Sequence, residues 1–580
     1  MRKIKLALLC SVATGLLVQD AMAAELRGRI VDRNGHPVPG AIITVAAPVP
    51  GPTAVSAFSD ADGRFHMPAD GNYGDGSKLN VEIRALGFEF EASKIDNSNK
   101  QALQLTVFAR ATENQIAAAP ASAWLGGVKD REAVSTFVMD CVGCHQVPSR
   151  EFRNYAAAIA EAQGKDRRDI YHQGYHSLVQ YMSLISSEEF ARGTEAKPLD
   201  VQNVYSVKDQ PRVTDFLADH FASRMDEIHG YTWGAPLAVT PDTSIREYQL
   251  PGPNAIREAL LLGSPKQLYV ADVASSNLFK VDPASGYTSV IKIPSEKEVG
   301  PHSLHRGADG SLWMAPFISS VVGHMDVKTG QWKTWPMKDI NGTDTGVHDL
   351  SFGADHTLLT DKDGYVWFSD VTNNAVGYFD PATGKSEFYR APEPQGRPGN
   401  GSMYGLVMTS DREHLWFSQL RIGKVGSFNI KTRKYEQEVL LPTNSGPRRL
   451  TISNDDILYA PLYGRGQLLE YDTKTNKQIG LYDLPDRAAV PYSTTWDPIR
   501  KVVWIATTNG DVLYRFDPRT KQFAVLPLPR QGALMRTVDI DPDSGVLVGS
   551  YGNIVKHVHG PRMALIIDPG DHARGQATGK

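Results

Sequence analysis

The chain has 580 residues, 41% hydrophobic and 22% charged, with a formal net charge of −4. That length exceeds what one hydrophobic core accommodates, so several domains are expected. The balanced charge excludes a nucleic-acid or anionic-membrane footprint, and 51 glycines with 36 prolines tilt the class towards β.

Residues 1–23 read as an export signal. Arg2, Lys3 and Lys5 form the basic start, Leu6 to Val18 the apolar run, and Ala21-Met22-Ala23 the small-residue cleavage site. The run is shorter than the ~20 residues of a membrane span, and no later stretch is apolar enough to cross. A periplasmic protein with no membrane span, cleaved after Ala23, is expected.

Residues 24–112 alternate as strands do, in "LRGRIVDRNGHPVPGAIITVAA", "TAVSAFSDADGRFHMPA", "LNVEIRALGFEF" and "LQLTVFAR". Asn34-Gly35, Asp62-Gly63 and Asp75-Gly76 punctuate them, which predicts a small antiparallel sandwich. Gly28, Val31, Asp32, Gly35, Pro37, Val38, Gly40 and Ala41, then Ser59, Asp60, Asp62, Gly63 and Phe65, form a pattern. It resembles carboxypeptidase regulatory-like (transthyretin-like) domains, which implies a packing or binding module without catalytic groups. Residues 113–127 read as an Ala/Pro linker.

The chain has three cysteines, and Cys10 leaves with the signal. Cys141 and Cys144 are followed at once by His145, giving C-x-x-C-H. Two thiols at that spacing can add to the two haem vinyl groups, and the histidine can ligate the iron. A thioredoxin-like pair does not need the histidine and expects a βαβ setting. A zinc site needs further ligands at matching spacing, and no cysteine is left over. A plain C-x-x-C disulfide is strained. One covalent haem c on Cys141, Cys144 and His145 is therefore expected, in a small α-helical domain over residues 128–235.

A helical stretch from Asp169 to Ser183 carries His172, His176 and Met182, ahead of a second amphipathic helix from Val213 to Met225. A late thioether followed by a closing helix resembles the mono-haem cytochrome c family. That resemblance makes Met182 the sixth iron ligand, ahead of His176, His172 and Met225. Methionine–histidine ligation fills both axial positions and favours electron transfer over O2 chemistry.

Over residues 242–569 one pattern returns every 40 to 50 residues, the period of a propeller blade. Its anchors are Leu268-Tyr269, Leu312-Trp313, Val366-Trp367, Leu415-Trp416, Leu458-Tyr459, Val503-Trp504 and a degraded Leu547-Val548. Turns follow at Asp282, Asp326, Asp380, Asn429, Asp472 and Asp517. The last copy lacks a closing strand, while "SIREYQLP" at 244–251 stands unpaired before the first. Seven blades closed by that donated strand are expected, with residues 570–580 as a tail. The residue before each innermost strand is Arg257, His302, His348, Tyr404, Arg448, Tyr492 or Arg536. Such a mouth suits an anionic or carbonyl-rich small-molecule substrate.

Pro301-His302-Ser303-Leu304, Asp309-Gly310-Ser311-Leu312-Trp313 and their later copies resemble the virginiamycin B lyase (streptogramin lyase) family. The resemblance covers about residues 242–569. It implies that His302 and His348 match two histidines that, with glutamates, hold Mg2+ and drive an elimination. The glutamates do not carry over: Gly346 precedes His348 by two, and the slots after the blade tryptophans hold Pro316, Asp370 and Gln419. Asp370 could replace one carboxylate around Mg2+.

The leading expectation is a mainly β periplasmic haem protein that moves single electrons, with a redox partner protein or substrate at the propeller. The alternatives are an elimination enzyme with His348 as base, His302 in support and a metal at Asp370, and a binding module whose haem is a redox sensor.

Overall fold

The structure is a computed structural model that describes residues 25–46, 51–68, 80–91, 94–96, 98, 102–113, 115–116, 118–143, 145–149, 172, 175–176, 210–221, 228–240, 242–252, 255–296, 299–316, 321–338, 347–392, 401–552 and 561–570. The expected export signal, Cys144, Met182, Met225 and residues 571–580 lie outside them.

From Ile256 to Pro527 six four-stranded antiparallel sheets follow one another in chain order. In each, the second strand carries the Leu/Val–aromatic anchor, as in Leu312–Pro316 and Val502–Thr507. Two of the anchor tryptophans donate from Nε1 to a turn aspartate, Trp367 to Asp361 at 2.8 Å and Trp504 to Asp497 at 3.0 Å. The repeated Asp or Asn after the third strand closes the next turn by accepting backbone amides. Examples are Lys328 N on Asp326 at 2.8 Å and Lys474 N on Asp472 at 2.9 Å. This is the Asx geometry for which these residues are favoured in turns.

Adjacent sheets share apolar clusters. Tyr269, Leu278, Leu304, Leu312 and Met314 join the first sheet to the second. Val548, Ala564 and Ile566 of the last sheet pack with Ile256, Leu268 and Val270 of the first. The architecture is a propeller-type β fold.

The last sheet begins with Met535–Ile540, Leu547–Tyr551 and Met563–Asp568. Its fourth strand is Ser244–Gln249, as the unpaired segment at 244–251 suggested, with Leu565 opposite Glu247. The sheet does not stop there. Ala54–Phe58 adds to the other edge of Ser244–Gln249, with Ser56 opposite Ile245, and Ile42–Ala46 and Asn80–Arg84 extend it to seven strands. A free edge would offer unpaired amides and carbonyls to other chains, and the amino-terminal strands cover it.

The amino-terminal module is a two-sheet sandwich around Leu26, Ile30, Ile43, Val55, Leu103 and Leu105. It departs from the antiparallel expectation in one pair. Glu25–Asp32 and Ala102–Ala111 run in parallel, with Leu26 opposite Leu103. A parallel pair needs a long connection between its strands, and the intervening strands of the module supply it. Arg84 binds it to the propeller, meeting the fully buried Asp511 at 2.8 Å and donating to the carbonyl of Leu528.

The expected linker is packed instead. Ser122–Leu125 (α1) is a short helix in which Trp124 and Leu125 are fully buried. Apolar Ala119, Ala121 and Trp124 need burial, and the propeller offers it: the amide of Ser122 donates to the carbonyl of Asn509 at 2.9 Å. Arg131–Cys141 (α2) starts at Asp130, whose carboxylate accepts from the amides of Glu132 and Ala133. Gln210–Phe221 (α3) packs on α2 through Phe137 and Phe216, stacked at 4.4 Å.

Candidate functional site

Each innermost strand, or the turn before it, delivers one of the seven expected mouth residues. A β-bulge recurs at this position in six sheets, for example between Pro301 and Ser303 and between Val347 and Asp349. A bulge inserts an extra residue and re-aims the side chains beside it. All seven side chains belong to residues at most 4% exposed. The mouth expected to receive a ligand from solvent is thus covered, and the chain itself covers it.

The cover is the helical segment. Val142, Val147, Phe137, Tyr175 and Phe216 form one apolar cluster with Tyr404, Tyr463 and Tyr492 of the propeller. A side chain at Gly446 or Gly464 would collide with Met139, so these two glycines make room for α2. Polar contacts fix the loop after α2. Arg536 donates to the carbonyl of Gly143 at 2.6 Å and to that of Gly552 at 2.6 Å. Gln146 donates to Asp511 at 2.7 Å. The amide of Val147 donates to Asn509 at 2.9 Å, which returns a bond to the Val147 carbonyl at 3.1 Å.

Cys141 ends α2, and His145 is buried. His145 Nδ1 lies 2.7 Å from the carbonyl of Gln146. A carbonyl only accepts, so Nδ1 donates to it. Histidines that bind a metal through Nε2 have their other nitrogen held by the backbone in this way, and the Nδ1 bond of His145 fits that role. Of the other candidates, His172 is within 3.0 Å of Asp215 and His176 is exposed.

The tier beneath the cover is a ring of contacts. The His302 and His348 rings are 4.7 Å apart, and His348 and Tyr404 3.8 Å. His348 Nδ1 lies 3.1 Å from the Tyr404 carbonyl, so it donates there, and its buried Nε2 has no hydrogen-bond partner among the described residues. Burial, with Arg449 nearby, pushes its pKa down to about 3. His302 Nδ1 accepts from Arg449 at 3.0 Å. Burial and the neighbouring His348 hold His302 well below the ordinary range. Both imidazoles are neutral.

Tyr404 and Tyr492 share a short hydroxyl contact, and the Arg448 guanidinium lies 4.6 Å from the Tyr492 ring centre and 3.8 Å from that of Tyr463. Burial opposes ionisation of Tyr492, but Arg448, Arg536 and Arg257 outweigh it and bring it down to about 8.

A second tier was missed by sequence reasoning. Arg449 bridges Glu258, His302 and Ser303, and His305 meets Asp349 at 2.9 Å. Burial pushes Glu258 up to about 7 although Arg449 opposes it. Burial also works against the Asp349 carboxylate, yet Arg449 and the His305 bond hold it below its ordinary range. A cavity of about 50 Å³ lies among Glu258, His305, Asp349, Arg449, Ser493 and Asp539. Glu258, Asp349 and Arg449 each follow an expected mouth residue by one position, and that adjacency was the available signal.

Asp370 lies at the end of Val366–Asp370, the second strand of its sheet. Its carboxylate accepts from the amides of Thr372 and Asn373 and from the Asn373 side chain at 2.7 Å. Asp272 serves the same turn in the first sheet, accepting from Ala274 N and Ser275 Oγ. Among the described residues no group of three or more His, Cys, Asp or Glu side chains could hold a metal ion. Asp370, the residue considered as a replacement carboxylate around Mg2+, has its carboxylate engaged by its own turn. Gln419 donates to Asn374 at 2.7 Å.

No protein-family model matches the chain, and no curated protein does. Among solved structures, virginiamycin B lyase from Staphylococcus aureus is similar at 15% identity and a TM-score of 0.46, over 56% of this chain and 98% of that one. A streptogramin B lyase follows at 18% identity and 0.45, over 56% and 97%. The WD40 repeats of RRP9 are similar at 14% identity and 0.44, over 58% and 98%.

Proposed function

We propose that this chain is an exported periplasmic haem protein that transfers single electrons, with one c-type haem borne by residues 128–235. In this reading residues 242–569 form a closed ring of seven blades on which the haem segment is seated. The observation that carries it is the C-V-G-C-H sequence together with the buried, Nδ1-bonded His145 in a loop held on the propeller mouth. Cys141 and Cys144 would hold the porphyrin covalently, and His145 and Met182 would bind its iron. When bound, the haem supplies a reversible one-electron change at the iron.

The chain's own residues then have definite tasks. Gln146 and Asn509 fix the loop that follows His145. Val142 and Val147 of that loop lie in one apolar cluster with Phe137, Phe216, Tyr404, Tyr463 and Tyr492. A dry, fixed setting lowers the reorganisation that accompanies a change of charge. A redox partner protein would exchange the electron, and a small-molecule substrate would have to displace or bypass the loop to reach the mouth.

The elimination reading keeps two adjacent neutral imidazoles, but among the described residues no carboxylates join them in a group that could hold a hard cation. A redox titration of the purified full-length chain tests the proposal. A reversible one-electron transition with the sharp reduced bands of a six-coordinate haem c is expected. Absorbance that does not respond to reductant would overturn it.

A further inference from the structure

The inner strands of the propeller-type fold have a covered end and a far end. In the last sheet Arg536 stands at the covered end, and Asp539 lies three residues further along the same strand, Met535–Ile540. In the third sheet His348 stands at the covered end of Val347–Leu350, and His356 sits in the turn that follows, its amide donating to the Gly353 carbonyl. His356 and Asp539 thus meet at the far end, with side chains 10% and 20% exposed.

His356 reaches out of its own sheet to two others. Its Nε2 lies 2.9 Å from the carbonyl of Trp496 in the sixth sheet, and its Nδ1 lies 3.4 Å from Asp539 Oδ1 in the last. Phe352 stacks on the ring at 5.5 Å. A carbonyl only accepts, so Nε2 donates to Trp496. The contact of Nδ1 with a carboxyl oxygen then needs one more proton, on the acid or on the ring, because two facing lone pairs repel. Asp539 Oδ2 is buried with no hydrogen-bond partner among the described residues, which disfavours a free carboxylate. Burial pushes the Asp539 carboxyl up, against the opposing pull of His356 and Arg306.

Behind this contact lies the cavity of about 50 Å³. Charged groups surround the pair from several sheets: Glu258 from the first, His305 and Arg306 from the second, Asp349 from the third and Arg449 from the turn before the fifth. Arg306 is itself paired with Asp541 of the last sheet at 3.3 Å. The sixth sheet brings only neutral Ser493 and Thr494 to the cavity wall.

We propose that one proton shared by His356 and Asp539 latches the far end of the channel shut, and that its loss opens the cavity to solvent. The step balances: the proton passes to water, and the pair is left with a carboxylate charge facing a bare Nδ1 lone pair. Attraction becomes repulsion, and one imidazole lets go of two sheets at once. The latch stands apart from the haem segment, and its test reads the same with or without haem.

The test places a reporter thiol on the cavity wall with Ser493→Cys in the full-length chain. Its modification by methyl methanethiosulfonate is followed by mass spectrometry of the peptide bearing position 493, which keeps Cys141 and Cys144 out of the signal. Adding His356→Ala removes the latch and is expected to speed modification several-fold at about pH 6, on the low side of imidazole titration. Asp539→Asn supplies a neutral donor in place of the protonated acid. Its rate should match the reporter chain at about pH 6 and fall several-fold behind it at about pH 9, where the parent pair has lost its proton. Thiol reactivity is common to both chains and cancels in the ratio. The inference is overturned if His356→Ala leaves the rate unchanged, if Asp539→Asn already speeds it at the lower pH, or if the two rates stay equal at the higher. Should the reporter chain fail to fold, deuterium exchange at the turn amides 353–357 of the parent and of Asp539→Asn decides by the same comparison.

Discussion

Asn509 and Val147 are joined at both polar ends of one peptide position, the Val147 amide donating to Asn509 Oδ1 and the Val147 carbonyl accepting from Asn509 Nδ2. Asn509 is fully buried, and its Nδ2 also donates to the Ala488 carbonyl. Its side chain is the peg between the propeller and the loop that follows His145. Asn509→Ala leaves buried backbone groups unpaired and should cost about 2–4 kcal/mol. Urea unfolding measures the loss, and hydrogen exchange at the Val147 amide should accelerate. An unchanged exchange rate there would show that the loop is held by other means.

Arg84 locks the amino-terminal module to the sixth sheet and the loop that follows it. Its guanidinium is paired with Asp511, which is fully buried. Arg84→Met removes the charged partner of that carboxylate, leaving it only neutral donors such as Gln146, and should destabilise by about 3–5 kcal/mol. Differential unfolding of the variant against the parent reads this directly, and a shift below about 1 kcal/mol would contradict the role.

His348 gives the protein an acid limb. Its unfolded pKa near 6.5 falls to about 3 in the folded state, chiefly through burial. Between those values the unfolded chain binds the extra proton, so stability is full above pH 6.5 and is lost as the pH falls towards 3. The contribution is on the order of a few kcal/mol. His348→Gln should flatten the stability curve across that window, and an unaltered slope would refute the assignment.

Tyr492 works in the opposite range. Arg448, Arg536 and Arg257 face it with Tyr404 and Tyr463, and its pKa falls from 10.0 to about 8. A depressed acid releases its proton earlier when folded, so stability rises from pH 8 to 10 and that gain is lost as pH falls through 8. Near-ultraviolet titration should show one tyrosinate forming near pH 8 that is missing in Tyr492→Phe. If every tyrosine ionises above pH 10, the cationic tier is weaker than described.

Much of the scaffold was legible because its signals are local. The Asp282-to-Asp517 turns and the Trp367 and Trp504 anchors each act within a few residues, so repetition exposes them. The strand at 244–251 was legible as an unmatched piece of a repeat. The continuation of that sheet into Ala54–Phe58 was not, since nothing in an alternating strand names its neighbour. Nor was the burial of Ala119 to Leu125, where small residues read as a tether until the propeller surface beneath them is known. At the candidate site the seven mouth residues were found one per sheet. The bulges at Ile256–Ala259 and Val347–Asp349 hid Glu258 and Asp349, and Arg449, whose inner strand pair has no bulge, was hidden because it precedes its short strand.

The central claim is that Cys141 and Cys144 grip a porphyrin through sulfur while His145 takes its iron. Extraction of the purified mature chain with acidified acetone, followed by haem-stained denaturing electrophoresis, tests it most directly. The account predicts that one equivalent of pigment stays with the polypeptide, and that Cys141→Ser with Cys144→Ser releases it. A colourless chain, or pigment that leaves entirely with the solvent, would contradict it.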